Sequence, residues 1–411
     1  MHLKHRLGLV ILAVLAIAVF PAAADEVTDW DAIMFQTALV APATSPLVMN
    51  RNAAIVQSSV FDALNGIERR YTPIHVQPAA PPGASRRAAV VQAAYVALAH
   101  LYPAQQSTLD LQREASLDAI ASDAAAENSE SIALGVAWGQ TVADQIWAWR
   151  LTDGITPPPP PFLGGTDPGE WRPTPPAFLP GAGPQFAYMT PWVMLSPSQF
   201  RPAGPPALDS TQYAADLTET RVMGSISSTS RSADQTLAAR FWNASTAAYY
   251  WHNIALSLAA ERHFTLSENS HLLALVSLAM GDAVIACWEA KYHYVFWRPV
   301  TAIRMSDPTW TPLLITPAFP EYPSGHSTVS GAAAAVLVDS FGETSSFSVG
   351  SDVMMGVVRS FTSFTAATDE VKDARVFAGI HFRTACNDGN ATGRAVGSYV
   401  LQHALLPLNG N

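Results

Sequence analysis

The sequence predicts an all-α protein made of two packed helical bundles that a long proline-rich segment connects. Apolar residues recur at three- and four-residue spacing through two long regions of the chain. Between Gly154 and Pro206 lie 16 of the 31 prolines and seven of the 24 glycines, which excludes a regular helix or a central strand there. With 411 residues, of which 49% are hydrophobic, the chain can bury one large core or two packed halves.

The first region predicts a bundle over residues 25–153. Its pattern is helical from about Trp30, and the periodicity is clearest over 51–69, 85–101, 104–120 and 129–150. Asp62 lies in the first of these four helices. We expect it to cap or bridge helices and give it no catalytic role.

The proline-rich crossing, residues 154–206, is predicted to be ordered. It carries Trp171, Phe186, Trp192 and Phe200, and a free linker rarely holds so many large apolar side chains. A second bundle, residues 207–411, should contain the functional site. Its predicted helices cover 210–263, 267–296, 327–339, 352–365, 370–379 and 392–405. No internal repeat is evident along the chain.

The N-terminus, residues 1–24, has the layout of a secretory signal. A basic start precedes an apolar run over 7–20, and three alanines precede Asp25. We expect cleavage and export to the periplasm or the medium. An uncleaved anchor is the alternative, although the run is shorter than the ~20 residues of a span. No later segment is expected to be long and apolar enough to span a membrane. Cleavage would remove Lys4 and Arg6 and take the formal charge from −10 to −12, which argues against nucleic-acid partners.

The first motif that carries chemistry is 288-WEAKYHYVFWRP-299. Lys291 and Arg298 are seven residues apart, so the spacing predicts that both project from one stripe of a helix that Pro299 ends. Trp288 falls on the same stripe. Two cations beside an aromatic residue are costly to bury unless an anion joins them. The alternative is that both side chains extend to water along a core helix.

The second motif is 316-TPAFPEYPSGHSTVSG-331, which leads into a predicted helix. Ser324 can cap that helix, and Gly325 allows an anion to approach the backbone. The free N–H groups of a helix start attract negative charge. His326 then lies where it can give or take a proton, and the prolines before it keep the approach stiff.

The third motif is 374-ARVFAGIHFRTACNDG-389. Arg375 and His381 are six residues apart, so Gly379 or a helix end must lie between them if they are to converge. The three motifs together offer one Lys, two Arg, a Ser-Gly backbone cradle and two His. This set suits a tetrahedral or trigonal-bipyramidal oxyanion.

In order and spacing these residues resemble the vanadium-dependent haloperoxidase and type-2 phosphatidic acid phosphatase superfamily. Its pattern is Lys-x6-Arg-Pro, then Pro-Ser-Gly-His, then Ser-Arg-x5-His. This chain has Ala374 where Ser is usual. It also has Ala385 where an Asp commonly follows the last His, with its own Asp at position 388. The length and the proline-rich crossing are similar to the bacterial exported haloperoxidase-like branch.

The resemblance implies a vanadium-dependent haloperoxidase that oxidises halide with hydrogen peroxide and passes the halogen to an organic acceptor. His381 would bond vanadium, His326 would serve as acid–base group and Lys291 would polarise the peroxide. The residues implied to bind the equatorial oxygens of vanadate are Lys291, Arg298, Arg375, Ser324 and Gly325.

Three further residues bear on the halide by the same resemblance. Trp288 and Phe319 fall where chloroperoxidases carry Trp and Phe beside the site, which favours that type. Chloroperoxidases also place an Asp after a Phe-Trp pair. Here 241-FWNAST-246 offers Asn243 and Ser245, which argues against strong chloride oxidation.

Two other functions remain open from the sequence. A phosphatase would hold phosphate in the same cradle, with His381 attacking phosphorus and His326 protonating the leaving oxygen. A periplasmic oxyanion-binding protein without turnover is the other alternative. Homo-oligomerisation is left open.

The two cysteines of the chain flank the predicted site. Cys287 precedes Trp288, and Cys386 follows His381 by five residues, so a folded site brings their segments close. We predict a disulfide between them, with two buried thiols as the alternative.

Overall fold

The computed structural model describes residues 25–41, 44–123 and 127–408. The predicted signal segment, 1–24, lies outside them. Within the described residues the chain forms thirteen α-helices and one two-stranded hairpin, so the all-α class is confirmed.

The first bundle is built around its second helix, which begins after the Ser45 cap with Pro46 in the first turn. This helix packs on α3 and α5 within the bundle and on α9 of the second bundle. The bounds are α1 Glu26–Val40, α2 Pro46–Glu68, α3 Arg86–Leu101, α4 Gln106–Ser122 and α5 Ser129–Arg150.

The second bundle centres on α9, against which both α11 and α13 pack. The first three helices are α6 Thr211–Met223, α7 Ala233–Ala244 and α8 Ala247–Glu261. The other five are α9 Leu266–Tyr294, α10 Pro299–Ile303, α11 Gly325–Phe341, α12 Phe364–Phe377 and α13 Arg383–His403.

The central helix α9 is long and apolar enough to cross a membrane by length and composition alone. Its most apolar 18-residue window has a mean hydropathy of 1.7, but 94% of that window is buried inside the protein. The expectation that no later segment would be apolar enough was therefore wrong. The reason is that a helix packed on all sides needs apolar residues all round.

The proline-rich crossing lies against the second bundle between α5 and α6. Trp171 is fully buried, and its backbone N–H donates to the carbonyl of Val295 at 2.7 Å. Further along, the N–H of Ala182 donates to the carbonyl of Ala318 at 2.6 Å. A short 3₁₀ helix, Pro184–Tyr188, follows. The crossing therefore covers the end of α9 and the approach to α11.

Two buried carboxylates fasten loops to the central helices. Asp62 on α2 accepts hydrogen bonds from the N–H groups of residues 74, 75 and 76, at 2.8–2.9 Å. Asp282 on α9 accepts from those of residues 192, 193 and 194, at 2.7–2.9 Å. We call these the Asp62 clamp and the Asp282 clamp. Asp62 therefore attaches a loop to α2, where capping or bridging of helices was expected. The Asp282 clamp holds the crossing to the second bundle.

The helix predicted over 352–365 is wrong. The chain instead forms an antiparallel hairpin, with β1 Phe347–Gly350 paired to β2 Val358–Phe361 and Phe347 opposite Phe361. Gly356, with φ +80°, lies in the connection, where a left-handed backbone breaks any helix. The next helix, α12, therefore starts only at Phe364.

Candidate active site

Lys291 and Arg298 do not lie on one helical stripe, contrary to the expectation. Helix α9 ends at Tyr294, because Val295 takes a left-handed conformation with φ 48° and ψ 38°. Arg298 follows in an extended conformation as the residue before α10. The two cations still meet, because both donate hydrogen bonds to the chain just before α11.

Lys291 is fully buried, and its ammonium group is already engaged. Nζ donates to the carbonyls of Pro320 and Glu321 at 2.9 Å and of Pro323 at 2.5 Å. Burial lowers the pKa of Lys291 to about 7, whereas three carbonyl acceptors favour the ammonium form, which alone has three N–H bonds. To donate to an oxyanion, Lys291 would have to exchange one of these bonds.

The two arginines each keep an unpartnered N–H group in the buried site. Arg298 donates from Nε to the Phe319 carbonyl and from Nη1 to the Ile380 carbonyl, both at 2.8 Å, which leaves Nη2 without a partner. Arg375 donates from Nη1 to Asn243 Oδ1 at 3.3 Å, and its Nε has no partner. Buried donors without acceptors are rare in proteins. Both guanidinium groups are therefore suited to an added anion.

Glu321 fixes the orientation and tautomer of His381. His381 Nε2 lies 3.2 Å from Arg298 Nη1, which can only donate, so Nε2 is the unprotonated nitrogen. Nδ1–H then donates to Glu321 Oε1 at 2.8 Å, and the N–H of Phe382 donates to the same oxygen at 2.9 Å. The result is a histidine that presents the Nε2 lone pair beside the two arginines. Glu321 is fully buried, and burial raises its pKa to about 7.

Arg375 and His381 converge because the chain reverses between them. Helix α12 ends at Phe377, and Gly379 has φ +75°. A Cβ at this position would lie 2.4 Å from the carbonyl oxygen of Gly224, so both the backbone angle and the space require glycine.

The start of α11 supplies backbone donors. Gly325 is its first residue, and no side chain caps the helix. Ser324 occupies the cap position but does not cap the helix, contrary to the expectation. Its Oγ instead accepts a hydrogen bond from the Ser327 hydroxyl at 3.0 Å. The first N–H groups of a helix have no partner within the helix. This end of α11 can therefore receive negative charge.

His326 faces a cavity of about 490 Å³ that also reaches Arg375 and His381. Burial, followed by the charges of Arg375 and Lys291, lowers the pKa of His326 well below 6.5. The imidazole is thus neutral at neutral pH and ready to accept a proton from a group in the cavity.

An aromatic pair covers the cations. The ring centroids of Trp288 and Phe319 lie 5.0 Å apart. Lys291 Nζ lies 5.1 Å and Arg298 Cζ 4.7 Å from the Phe319 centroid, within the range of cation–π attraction. The pair shields the charges from water on the cavity side.

Comparison with known proteins agrees with this geometry. Residues 271–410 match the model of the VCPO second helical-bundle domain. The solved structure of a bacterial vanadium-dependent iodoperoxidase superposes with a TM-score of 0.81 at 30% sequence identity, covering 94% of this chain and 97% of that one. The chain belongs to the vanadium-dependent haloperoxidase family.

Two other members of the haloperoxidase family are more distant or match over a shorter stretch. A holo-type bacterial vanadium-dependent chloroperoxidase shares the fold, with a TM-score of 0.71 at 18% identity over 94% of this chain and 99% of that one. The vanadium chloroperoxidase of Curvularia inaequalis is 37% identical over 82 residues. That match spans 16% of this chain and 14% of the curated relative.

The residues present fit the vanadate of haloperoxidases. Three buried cations, Lys291, Arg298 and Arg375, surround the site, and two of them carry unpartnered N–H groups. Among the described residues no group of three or more His, Cys, Asp or Glu could chelate a metal ion. Buried cations with free N–H groups are donors of the kind that an oxyanion accepts.

The predicted disulfide does not form, and both cysteines are buried free thiols. Cys287 Sγ lies 3.7 Å from the carbonyl of Pro323, whereas Cys386 contacts the side chains of Ser324 and Ser327. The two thiols thus bond different partners around the start of α11. Asp388, the displaced acid of the third motif, accepts from the Tyr322 hydroxyl at 2.6 Å.

Sequence reasoning missed Glu321 and the contribution of the first bundle. Glu321 lies within 320-PEYPSGH-326. The available signal was an acidic residue two positions before the Pro-Ser-Gly-His motif, in an otherwise apolar and proline-rich stretch. Residues 45–48 and Asn50 at the start of α2 line the cavity, as do Ala182, Gly183, Gln185 and Phe186 of the crossing. No local sequence pattern predicts such contacts, because they arise from the packing of segments that are distant along the chain.

Acid should destabilise the protein through its neutral histidines. Burial, together with the nearby cations, lowers the pKa of His326 and His381 well below 6.5. The unfolded chain protonates these two histidines as pH falls below about 6.5 and the folded protein does not, so each lowers stability by up to ~1.4 kcal/mol per pH unit. Glu321, whose pKa is raised to about 7, takes up a proton in the folded protein over this range and offsets part of the loss. Melting temperatures from pH 8 to 5 should show this slope.

The control compares the H326Q/H381Q double variant with His263→Asn, which changes an exposed histidine. The double variant should have a shallower slope than wild type, and the His263 variant should keep the wild-type slope. An unchanged slope in the double variant would exclude this origin.

Proposed function

We propose that the protein oxidises halide with hydrogen peroxide at a vanadate group in this site. The proposal rests on one observation. Arg298 Nη2 and Arg375 Nε are buried without partners in a site where His381 presents an unprotonated Nε2. An anion that also accepts a nitrogen ligand satisfies all three groups at once.

Each residue contributes a separate task in this proposal. Bound vanadate would supply the activation of peroxide for a two-electron oxidation of halide. Arg298 and Arg375 hold its negative oxygens with the α11 N–H groups and Ser324. His381 would bind through Nε2 while its Nδ1–H stays hydrogen-bonded to Glu321. His326 accepts and returns a proton at the oxyanion.

Lys291 acts mainly by its charge and its position in this proposal. Its three carbonyl bonds hold residues 320–323, and thereby the Ser-Gly turn, in place. Its positive charge also favours the anion. Trp288 and Phe319 exclude water from the charged groups.

Iodide and bromide are proposed as better substrates than chloride. Asn243 stands beside Arg375, where the chloroperoxidase resemblance calls for a carboxylate, and an amide cannot raise the pKa of His326. A weakly basic His326 is rarely protonated, so it is a poor donor of the proton that peroxide reduction consumes. The oxidant is then weaker, which favours halides that are more easily oxidised than chloride. The similar solved structure at 30% identity is an iodoperoxidase, which supports the same order.

The test strips the purified protein with chelator, reloads it with orthovanadate and measures peroxide-dependent oxidation of iodide, bromide and chloride. Vanadate-dependent turnover that phosphate suppresses and that His381→Ala abolishes is the expected result. Hydrolysis of a phosphomonoester without halide oxidation would instead identify the phosphatase reaction, with His381 as nucleophile. Oxyanion binding without either reaction would leave a binding protein.

Asn243→Asp is expected to weaken oxyanion binding by roughly tenfold. A carboxylate at this position pairs with Arg375 and repels the anion, and one such contact is typically worth about 1–2 kcal/mol. The pH–rate profile should move to higher pH as the added charge raises the pKa of His326. Calorimetric titration with phosphate measures the affinity. Ser245→Asp adds the same charge to the cavity wall and is the matched control; equal losses in both variants would rule out the Arg375 contact as the cause.

Export, the division at residues 153 and 206 and the oligomeric state remain proposals from the sequence. N-terminal sequencing of the exported protein should give Asp25 as the first residue. Retention of residues 1–24 in a membrane fraction would favour the uncleaved anchor.

A further inference from the structure

A second cavity lies away from the candidate active site, where helix α1 of the first bundle meets helix α8 of the second. It measures about 220 Å³, and Asp352 of the connection between β1 and β2 completes its wall. None of its lining residues belongs to the three motifs of the candidate active site. A cavity of ~150 Å³ is enough to hold benzene, so this one can take a small organic molecule. We call it the α1–α8 cavity.

The formal charge of the α1–α8 cavity is negative. Asp31 and Asp352 are the acidic side chains among the described residues that line it, and no described lysine or arginine lines it. Oδ1 of Asp352 is buried and has no hydrogen-bond partner. Two carboxylates in one cavity repel each other, and a cation between them removes that repulsion. The charge of the cavity therefore favours a cationic ligand.

Asp31 has one carboxylate oxygen that no described residue uses, although its side chain is only 2% exposed. Oδ1 accepts from Gln57 Nε2 at 2.8 Å and from His252 Nδ1 at 2.7 Å. His252 Nε2 in turn lies 3.1 Å from Ser277 Oγ, which fixes the ring. Oδ2 accepts no hydrogen bond from the described residues. Buried polar atoms are rarely left without partners, so Oδ2 is available to a ligand in the cavity.

Aromatic and aliphatic side chains form the rest of the wall. The ring centroids of Phe35 and Tyr249 lie 5.6 Å apart with the planes at 89°. Burial, followed by the charge of Asp352, raises the pKa of Tyr249, as expected for a carboxylate near its hydroxyl. Leu39 and Leu256 supply the aliphatic part. An ammonium group is attracted to aromatic faces, and a hydrocarbon body packs on such walls.

The same lining disfavours a metal ion. Calcium takes about six to eight oxygen ligands. Among the described residues no group of three or more His, Cys, Asp or Glu could hold a metal ion. The cation that fits is therefore organic.

We propose that the α1–α8 cavity binds a small organic ammonium ion, a protonated primary amine with a short apolar body. Its N–H groups donate to the carboxylate oxygens of Asp31 and Asp352 that lack partners, and its hydrocarbon part packs against Phe35 and Tyr249. The ligand thereby contacts both bundles and stabilises the folded protein by binding. The inference does not depend on the proposed halide oxidation.

The experiment titrates the purified protein by calorimetry with three probes, in a buffer that contains no amine. The probes are butylammonium, butan-1-ol, which has the same chain without the charge, and methylammonium, which has the charge without the chain. Butylammonium should bind roughly tenfold more tightly than either of the others. The melting temperature should rise with the concentration of butylammonium and not with that of butan-1-ol.

Two variants remove one negative charge each. Asp31→Asn keeps an oxygen that can accept from Gln57 and His252, and Asp352→Asn changes a partly exposed residue of the hairpin connection. Each should weaken butylammonium binding by roughly tenfold. Asp29→Asn is the matched control, because Asp29 is an exposed acid of α1 that does not line the cavity. If the Asp31 variant does not fold, the Asp352 variant decides.

A second pair of variants tests the aromatic wall. Tyr249→Phe keeps the ring and should retain butylammonium binding, whereas Tyr249→Leu should weaken it several-fold. Absence of saturable butylammonium binding, equal binding of butan-1-ol, or unchanged affinity in Asp352→Asn overturns the inference. Displacement of butylammonium by a lower concentration of calcium would identify a metal site and would also overturn it.

Discussion

Replacing Glu321 with glutamine should lower the ratio of vanadate affinity to phosphate affinity by roughly 10- to 100-fold, the range typical of groups that orient a metal-binding histidine. Vanadate requires the Nε2 lone pair of His381, and the Glu321 carboxylate both aims the ring and increases its basicity. Phosphate needs only the cations and the backbone donors. Its affinity should stay equal or rise, because a buried negative charge is removed.

The measurement is paired calorimetric titration with orthovanadate and phosphate, together with ¹⁵N chemical shifts of His381 in the phosphate-loaded protein. Wild type should show protonated Nδ1, and the variant should show a mixture of tautomers. Asp388→Asn is the control, since Asp388 bonds Tyr322 and not the histidine. Equal losses of vanadate and phosphate affinity in the Glu321 variant would mean that the residue supports the cradle as a whole.

Replacing Asp282 with alanine should reduce the free energy of unfolding by about 3–5 kcal/mol. The fully buried carboxylate accepts three backbone N–H groups of the crossing, and each donor left without a partner costs about 1–3 kcal/mol, partly recovered where water reaches it. Arg150, whose guanidinium carbon lies 4.0 Å from the Trp192 ring centroid, also loses a nearby negative charge. Urea denaturation measures the change.

Asp62→Ala is the matched control for this prediction, since it removes the same three-bond arrangement from the first bundle. Both variants should lose similar stability. Only Asp282→Ala should also weaken phosphate binding, because the crossing supplies Ala182, Gly183, Gln185 and Phe186 of the cavity wall. Unchanged phosphate binding in the Asp282 variant would show that the wall is held by its other contacts.

The sequence was sufficient to predict the candidate site residues that belong to short motifs. A break at Gly379 or a helix end could be required in advance, because Arg375 and His381, six residues apart, do not converge on a regular helix. The convergence of Lys291 and Arg298 was also foreseen, but for the wrong reason. Helical spacing predicted that both lie on one stripe of a helix. In the structure the helix ends before Val295, and the two cations meet because both donate to backbone carbonyls before α11.

The rest depended on tertiary packing that periodicity does not encode. The apolar residues over 352–365 predicted a helix. The structure instead has a hairpin whose connection contains Gly356 in a left-handed conformation. The cavity wall formed by residues 45–48 and Asn50 lies far along the chain from the motifs that it covers. The cysteines are close in sequence to the same site, but sequence proximity does not fix the direction in which a thiol points.

The Asp62 clamp and the Asp282 clamp share a short sequence pattern, although they lie in different bundles. Asp62 and Asp282 are each followed by alanine, and the loops that they hold read 72-TPIHV-76 and 190-TPWVM-194, with the three bonded amides at the same places after Thr-Pro. The two matching pairs are short, and the held loop follows Asp62 but precedes Asp282, so they form no repeat along the chain. Each bundle therefore fastens one Thr-Pro loop to its central helix with the same three-amide attachment, and the attachment on α9 keeps the crossing beside the site.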